Sequence, residues 1–204
     1  MQLLDQSILG IMILLLLAML VIIKQKATGA ILDKPKGNLL VWLVNSFNLF
    51  FLLVVNPLAA ILLILRRLTL IDPTHLTIAA PWLLLTLESI GLLLYVIGFF
   101  LMAWALIKLG RFYQLGGTTP RATDALITDG PYTLVRHPMY SAALSIALGL
   151  ACLVQSFALF FVFCLYLVLI MLLLPKEEAG LQQAYGENYV VYEQSTKRLI
   201  PFVY

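Results

Sequence analysis

Two short blocks hold most of the polar chemistry of this chain. Residues 124–140 read DALITDGPYTLVRHPMY, and residues 175–201 read PKEEAGLQQAYGENYVVYEQSTKRLIP. In the first block Arg136 and His137 stand directly before Pro138, a residue suited to the first turn of a helix. A histidine with an arginine beside it at a helix start is a place to hold an anionic or ribose-bearing ligand. Taken singly, Arg136 also reads as a membrane-interface anchor, and Tyr132 and Tyr140 as interfacial aromatics. In the second block Glu177 and Glu178 follow Pro175 and Lys176. Acidic residues in a first helical turn complement the helix dipole. The functional alternative is a carboxylate that accepts hydrogen bonds from ribose hydroxyls or faces a cationic ligand.

The elements that must position these blocks are greasy. The 204 residues are 62% hydrophobic and 11% charged, with a mean hydropathy of +1.00; soluble domains are about 45–50% apolar and about 25% charged. The composition predicts an all-α integral membrane bundle, because no polar stretch is long enough to bury a core of its own. The net charge of +3 bears on topology, and no nucleic-acid partner is expected. Cys152 and Cys164 lie inside apolar runs and read as small core residues, so neither a disulfide nor a metal site is expected. The first apolar run is longer than a signal-peptide core and is followed by Lys24 and Lys26, which argues against a cleaved leader.

A span needs about 20 apolar residues. Five candidates follow, over residues 8–23, 39–65, 78–109, 138–154 and 157–174. Asn45, Asn48 and Asn56 fall near one face of the second, either as interhelical hydrogen-bonding groups or as the polar lining of a head-group pocket. Pro57 is expected to kink that helix. Glu88 lies deep in the third, where an ionisable residue is a functional candidate by default, although a neutral glutamic acid paired with an asparagine reads equally well. The fourth carries Ser141, Ser145 and Gly149, and also Ala143, Ala147 and Ala151, small residues that let backbones approach. Gln155 and Ser156 form a tight turn, so the fourth and fifth spans make a hairpin that returns Pro175 to the side of His137. After Pro175 the chain reads as short amphipathic helices broken at Gly186, a cytosolic C-terminal cap. The division is then residues 1–109, with three N-terminal spans, and residues 110–204, a core of connector, hairpin and cap. Five crossings put Lys24, Lys26, Lys34, Lys36, Lys108, Arg111, Arg121, Arg136, Lys176, Lys197 and Arg198 on one side and only Arg66 and Arg67 on the other. The first side is expected to be cytosolic, with the N-terminus outside.

No G-x-G-x-x-G, P-loop, H-E-x-x-H or G-x-S-x-G occurs, and no alternating strand pattern. A nucleotide-type cofactor would have to be held by helix ends and loops at the membrane face. The order L-x-x-x-G-x-Y, R-H-P-M-Y, an apolar hairpin, P-K-E-E, Y-G-x-x-Y-x-x-Y and R-L-I-P resembles the isoprenylcysteine carboxyl methyltransferase family, best in its compact prokaryotic members. The likeness covers residue 110 onwards; before that it is one of hydropathy only.

The resemblance implies an integral-membrane methyltransferase that uses S-adenosyl-L-methionine. It implies that Asp124, Ala125, Leu126 and Ile127 match a cofactor-contacting loop, with Asp124 in place of the usual histidine. Tyr132 would touch the cofactor, and His137, Pro138, Met139 and Tyr140 would form the main binding turn. Glu177, with Glu178 beside it, would close the pocket. An arginine that serves the substrate commonly stands just before the acidic pair; here the run is Leu172, Leu173 and Leu174, with Leu173 at that place. A carboxylate acceptor needs no general base, an amine acceptor would use His137 or Glu178, and Arg136 or Arg198 would pair with an anionic acceptor. The acceptor is expected to be a lipophilic small molecule or lipidated substrate that enters from the bilayer, with no obligate protein partner. The membrane is expected to be a prokaryotic plasma membrane, or the endoplasmic reticulum in a eukaryote. Competing expectations are a phospholipid N-methyltransferase, an NADPH-dependent sterol-type reductase with a similar C-terminal region, and a small transporter or scaffold.

Overall fold

The computed structural model describes residues 5–31, 38–114, 120 and 124–204. Among the described residues the chain is helical, without a β-strand. The Asp5 side chain accepts from the Ser7 N–H and starts α1 (Gln6–Thr28), and Gly29, at φ 79°, ends it. Asn38 caps α2 (Leu39–Phe50) through the Val41 N–H. α2 runs through a π turn, Phe51–Val55, into α3 (Asn56–Ile64), making one apolar rod of 26 residues. The disturbance expected at Pro57 therefore takes the form of a π turn just before it. Proline has no N–H to give to the preceding turn, and the Asn56 N–H reaches Phe51 O instead. Asn56 secures this turn: its Nδ2 also donates to Phe51 O at 2.9 Å, and its Oδ1 accepts from the Tyr95 hydroxyl at 3.0 Å.

After the short α4 (Leu68–Ile71), α5 spans Pro81–Leu109. It begins three residues later than expected because Pro81 takes the first turn. α6 (Pro138–Leu153) and α7 (Phe157–Tyr185) form the hairpin, and α8 (Glu187–Ser195) follows the break at Gly186. Four helical segments are long and apolar enough to cross a membrane: α1, α2–α3, α5 with its short 3-10 extension, and α7. α6 has 16 residues, about 24 Å of rise. It is short for a span, but it is packed between α5 and α7. Ser156 caps α7 by accepting from the Leu159 N–H. At this end of the bundle Gln155 O accepts from the Leu76 N–H at 2.8 Å, and Gln155 Nε2 donates to Glu88 Oε1 at 3.4 Å.

One expectation is overturned. Pro175 does not end the helix; α7 continues through it to Tyr185. A proline inside a helix forfeits one backbone bond, and here the flanking Leu173, Leu174 and Glu178 are all buried, so tertiary packing holds the helix together. Glu177 and Glu178 accordingly sit well inside a long helix, not in a first turn.

α5 and α6 pack backbone to backbone, as the small residues of α6 predict, and α5 supplies Gly91 and Gly98 as counterparts. A Cβ on Gly149 would lie 2.7 Å from Tyr95 N and 2.8 Å from Gly91 O. Gly149→Ala should therefore cost about 1–3 kcal/mol through overpacking, seen as a lower melting temperature in detergent. Gly180→Ala, with nothing within 4 Å of the added Cβ, should not lower it.

Candidate functional site

At the end of the bundle where α5 stops and α6 begins lies a cavity of about 300 Å³. Its polar end is walled by Tyr132, His137, Tyr140, Glu177 and Tyr189, with residues 124–127 along one side. Its apolar end runs between Leu20, Leu52, Met102, Leu106 and Ile146. Leu49 and Leu53 also line it, and both are substantially exposed on the outer surface of the bundle. The cavity thus joins a polar, aromatic chamber to a hydrocarbon-like one that reaches the lipid-facing surface.

The polar end is set by one buried carboxylate. The apolar part of α7 ends at Leu174, so Glu178 lies beyond the spanning portion. Its Oε1 accepts from Arg136 Nε at 3.0 Å and the same guanidinium's second terminal nitrogen at 2.8 Å, and it meets His137 Nε2 at 3.2 Å. Its Oε2 accepts from Arg198 Nε at 2.8 Å and lies 2.7 Å from a terminal Arg198 nitrogen. Arg136 also donates to Glu193 O at 3.0 Å and to Thr196 O. The backbone reinforces this: Arg136 N–H donates to Lys197 O at 2.7 Å, and His137 N–H to Arg198 O at 3.0 Å. Ser141 Oγ donates to Leu199 O at 2.6 Å. Burial pushes the Glu178 carboxyl up, but hydrogen bonds from His137, Arg198 and Arg136 outweigh it and hold the group at about 2. The same bond to Glu178, with one to Tyr204, raises Arg198 above its ordinary value.

Adjacent residues of α7 are turned to different tasks. Glu177 faces the cavity, and its Oε2 accepts from the Tyr140 hydroxyl at 2.8 Å. Glu178 is not on the cavity wall. Arg136 reaches the wall, but its guanidinium is committed to Glu178, Glu193 and Thr196; Arg198 is off the wall and bound to Glu178. The structure thus brings Asp124, Ala125, Leu126, Ile127, Tyr132, His137, Pro138, Met139, Tyr140 and Glu177 together around the cavity, and places Glu178 and Arg198 behind it. Burial, with the Glu177 charge nearby, pushes the Tyr132 hydroxyl well above its ordinary value, so it stays protonated. Sequence reasoning missed Tyr113, Tyr166, Tyr185, Tyr189 and Tyr192 as lining residues. The Y-G-x-x-Y-x-x-Y spacing was the available signal for the last three, since it sets them on either side of the Gly186 break.

The structure is a helical membrane bundle whose cavity couples a polar, aromatic end to an apolar one. The family described as Phospholipid methyltransferase matches residues 87–188, half of the chain, and the protein belongs to that family. Protein-S-isoprenylcysteine O-methyltransferase B of Arabidopsis thaliana is 29% identical over 119 residues, covering 57% of this chain. The chain spans 60% of the length of that relative. A solved structure, the eukaryotic intramembrane Ras methyltransferase ICMT (isoprenylcysteine carboxyl methyltransferase) without a monobody, superposes with a TM-score of 0.52 at 19% identity. It covers 80% of this chain and 74% of its own, a likeness of fold. The resemblance read from the motifs is borne out by these matches.

Removing the Glu178 carboxylate should be costly. The Arg136 and Glu178 side chains are only 6% and 7% exposed, and a buried charge left without its partner costs about 3–5 kcal/mol. Glu178→Ala should lower the melting temperature sharply, and Glu178→Gln by less. Because the folded carboxyl is depressed, its contribution is present above its unfolded value of 4.5 and is lost as pH falls towards about 2. Between those pH values the wild type should therefore lose its stability margin over Glu178→Gln, as read from melting curves.

Proposed function

We propose that this protein is an S-adenosyl-L-methionine-dependent methyltransferase acting on the carboxylate of a lipophilic acceptor, such as a prenylated cysteine, at the cytosolic face of a membrane. The observation that carries the reading is a cavity with one polar, aromatic end and one apolar end open towards lipid.

The residues present suit the cofactor. The cavity is of a size that takes a small ligand. Tyr189, on its wall, carries a buried hydroxyl with no hydrogen-bond partner among the described residues, a donor fit for a polar ligand. Glu177 uses one oxygen for Tyr140 and offers the other to ribose hydroxyls. The rings of Tyr132 and Tyr140, both on the wall, would face the sulfonium, an attraction of about 0.5–2 kcal/mol. Bound there, S-adenosyl-L-methionine would supply a methyl on positively charged sulfur, so that a carboxylate oxygen gains the methyl as the S–C bond breaks, leaving a neutral ester, a thioether and no proton to move.

With such a donor the chain's own residues mainly align the reactants and exclude water. His137 is oriented by Glu178, and Arg136, Glu178 and Arg198 act as positioning residues behind the wall. The basic residues at the site end, among them Lys24, Lys108, Arg136, Lys176 and Arg198, against Arg66 and Arg67 at the other, support a cytosolic site; Lys34, Lys36 and Arg121 lie outside the described residues. A prokaryotic plasma membrane is the proposed location. The reductase reading is weaker, because Lys108, one of its few candidate phosphate ligands, is paired with Asp129 at 2.6 Å.

The test is a thermal-shift titration of the detergent-purified protein with S-adenosylhomocysteine and with NADPH. A ligand selective for the folded state at a hundred times its Kd stabilises it by about 2.7 kcal/mol. S-adenosylhomocysteine should stabilise the protein and NADPH should not. Glu177→Ala should weaken S-adenosylhomocysteine at least about tenfold, the worth of a charge-assisted hydrogen bond, without lowering the melting temperature of the ligand-free protein appreciably. Stabilisation by NADPH alone would overturn the reading.

A further inference from the structure

Resting on the carboxylate-acceptor reading, the question is which residue receives the acceptor's polar end. The position that resembles a substrate arginine is Leu173, and it cannot serve. Leu173 is fully buried in a cluster with Val41, Val44, Tyr166 and Leu199, and it does not line the cavity. Among the described residues on the wall, the guanidinium of Arg136 is already engaged, and Lys24 donates to Ala30 O at 3.0 Å and sits 5.0 Å over the Tyr113 ring. The polar groups lining the membrane-embedded half are instead Asn45 and Asn48 on α2 and Tyr166 on α7.

Asn48 is built as a donor. Its carboxamide oxygen accepts from the Tyr166 hydroxyl. Tyr166 is itself buried and stacked on Phe47 with ring centroids 4.7 Å apart, so the amide is held in one orientation. Its amide nitrogen has no hydrogen-bond partner among the described residues, and the residue is half-buried on the cavity wall. The contrast is Asn56, on the same rod, whose amide is spent on Phe51 O and Tyr95 and whose side chain is sealed from the cavity. A carboxamide with idle N–H groups in apolar surroundings is expensive unless a ligand oxygen meets it.

We propose that Asn48, braced by Tyr166, is a specificity-determining residue that donates its amide N–H groups to an oxygen of the acceptor's carboxylate, taking the part that a substrate arginine would play from α7. A neutral amide fixes the carboxylate's direction without forming an ion pair, leaving the second oxygen free to take the methyl. Asn48 would also select against an acceptor whose polar end is a cationic amine, since Tyr166 already holds its oxygen and the idle groups are N–H donors.

The informative variant is Asn48→Asp. It keeps the oxygen that Tyr166 donates to and replaces the amide donor with a second, like-charged oxygen. Binding is read by thermal shift with N-acetyl-S-farnesyl-L-cysteine and with N-acetyl-S-farnesylcysteamine, which has the same chain and acetamide but no carboxylate. S-adenosylhomocysteine serves as the control for folding and for the cofactor end. Asn48→Asp should weaken the carboxylate probe by about tenfold or more, the scale of a lost hydrogen bond to a charged group. The decarboxylated probe and S-adenosylhomocysteine should be unaffected. Asn48→Ala, which also releases Tyr166, should show the same discrimination on a less stable background. Equal affinity of wild type and Asn48→Asp for the carboxylate probe would overturn the proposal. So would a wild type that binds neither probe, even where S-adenosylhomocysteine still stabilises it. Asn48-dependent binding of the carboxylate without formation of a methyl ester would sustain the proposal and sink the carboxyl-methylation reading instead.

Discussion

The structure depends on what one buried carboxylate can hold together. Glu178 is the meeting point of Arg136 and His137 at the mouth of α6 and of Arg198 after α8. Taking such charges out of water is expensive, and only complete pairing with additional hydrogen bonds makes it tolerable. Here the pairing is nearly complete, because the second face of the Arg136 guanidinium is satisfied by the carbonyls of Glu193 and Thr196. The knot therefore does not work as a surface ornament. It fixes the direction in which His137 and Tyr140 leave the start of α6, and with it the shape of the polar chamber.

Below the knot the bundle obeys a different rule. Hydrocarbon gives helices no incentive to associate by hiding apolar surface, so contact rests on close packing and a few hydrogen bonds. Gly91, Gly98 and Gly149 bring α5 and α6 to backbone contact. The Asn56–Tyr95 bond ties the rod of α2 and α3 to α5, and the Asn48–Tyr166 bond ties it to α7. Between those tight seams the rod and α5 leave room for the cavity's apolar half. Tight seams on either side of a gap let a membrane protein keep an open chamber without collapsing around it.

Much of this was legible in the sequence. Length, hydropathy and the Gln155–Ser156 turn predict the spans and the hairpin because those signals are local. The tight order of motifs after Gly110 points to the cavity wall, and most of the residues named from it surround one cavity, with Glu178 and Arg198 behind it. What was not legible was tertiary. Proline normally stops a helix, and nothing near Pro175 announces that Leu173, Leu174 and Glu178 will be held firmly enough to carry α7 past it. Two neighbouring glutamates look equivalent on paper, yet one helical step of about 100° sends Glu177 to the chamber and Glu178 behind it. The three asparagines share a spacing, but only the partners supplied by α5 and α7 separate the sealed Asn56 from the cavity-lining Asn48.

The clip between residues 135–137 and 197–199 has a further meaning in the order of synthesis. Lys197, Arg198 and Leu199 follow the α6–α7 hairpin in the chain, so the clip closes only after both helices have been made. Until it closes, the Arg136 and His137 backbone donors lack the carbonyls they use in the finished fold, and Glu178 lacks Arg198. The polar chamber is thus completed by a segment translated after the helices that frame it.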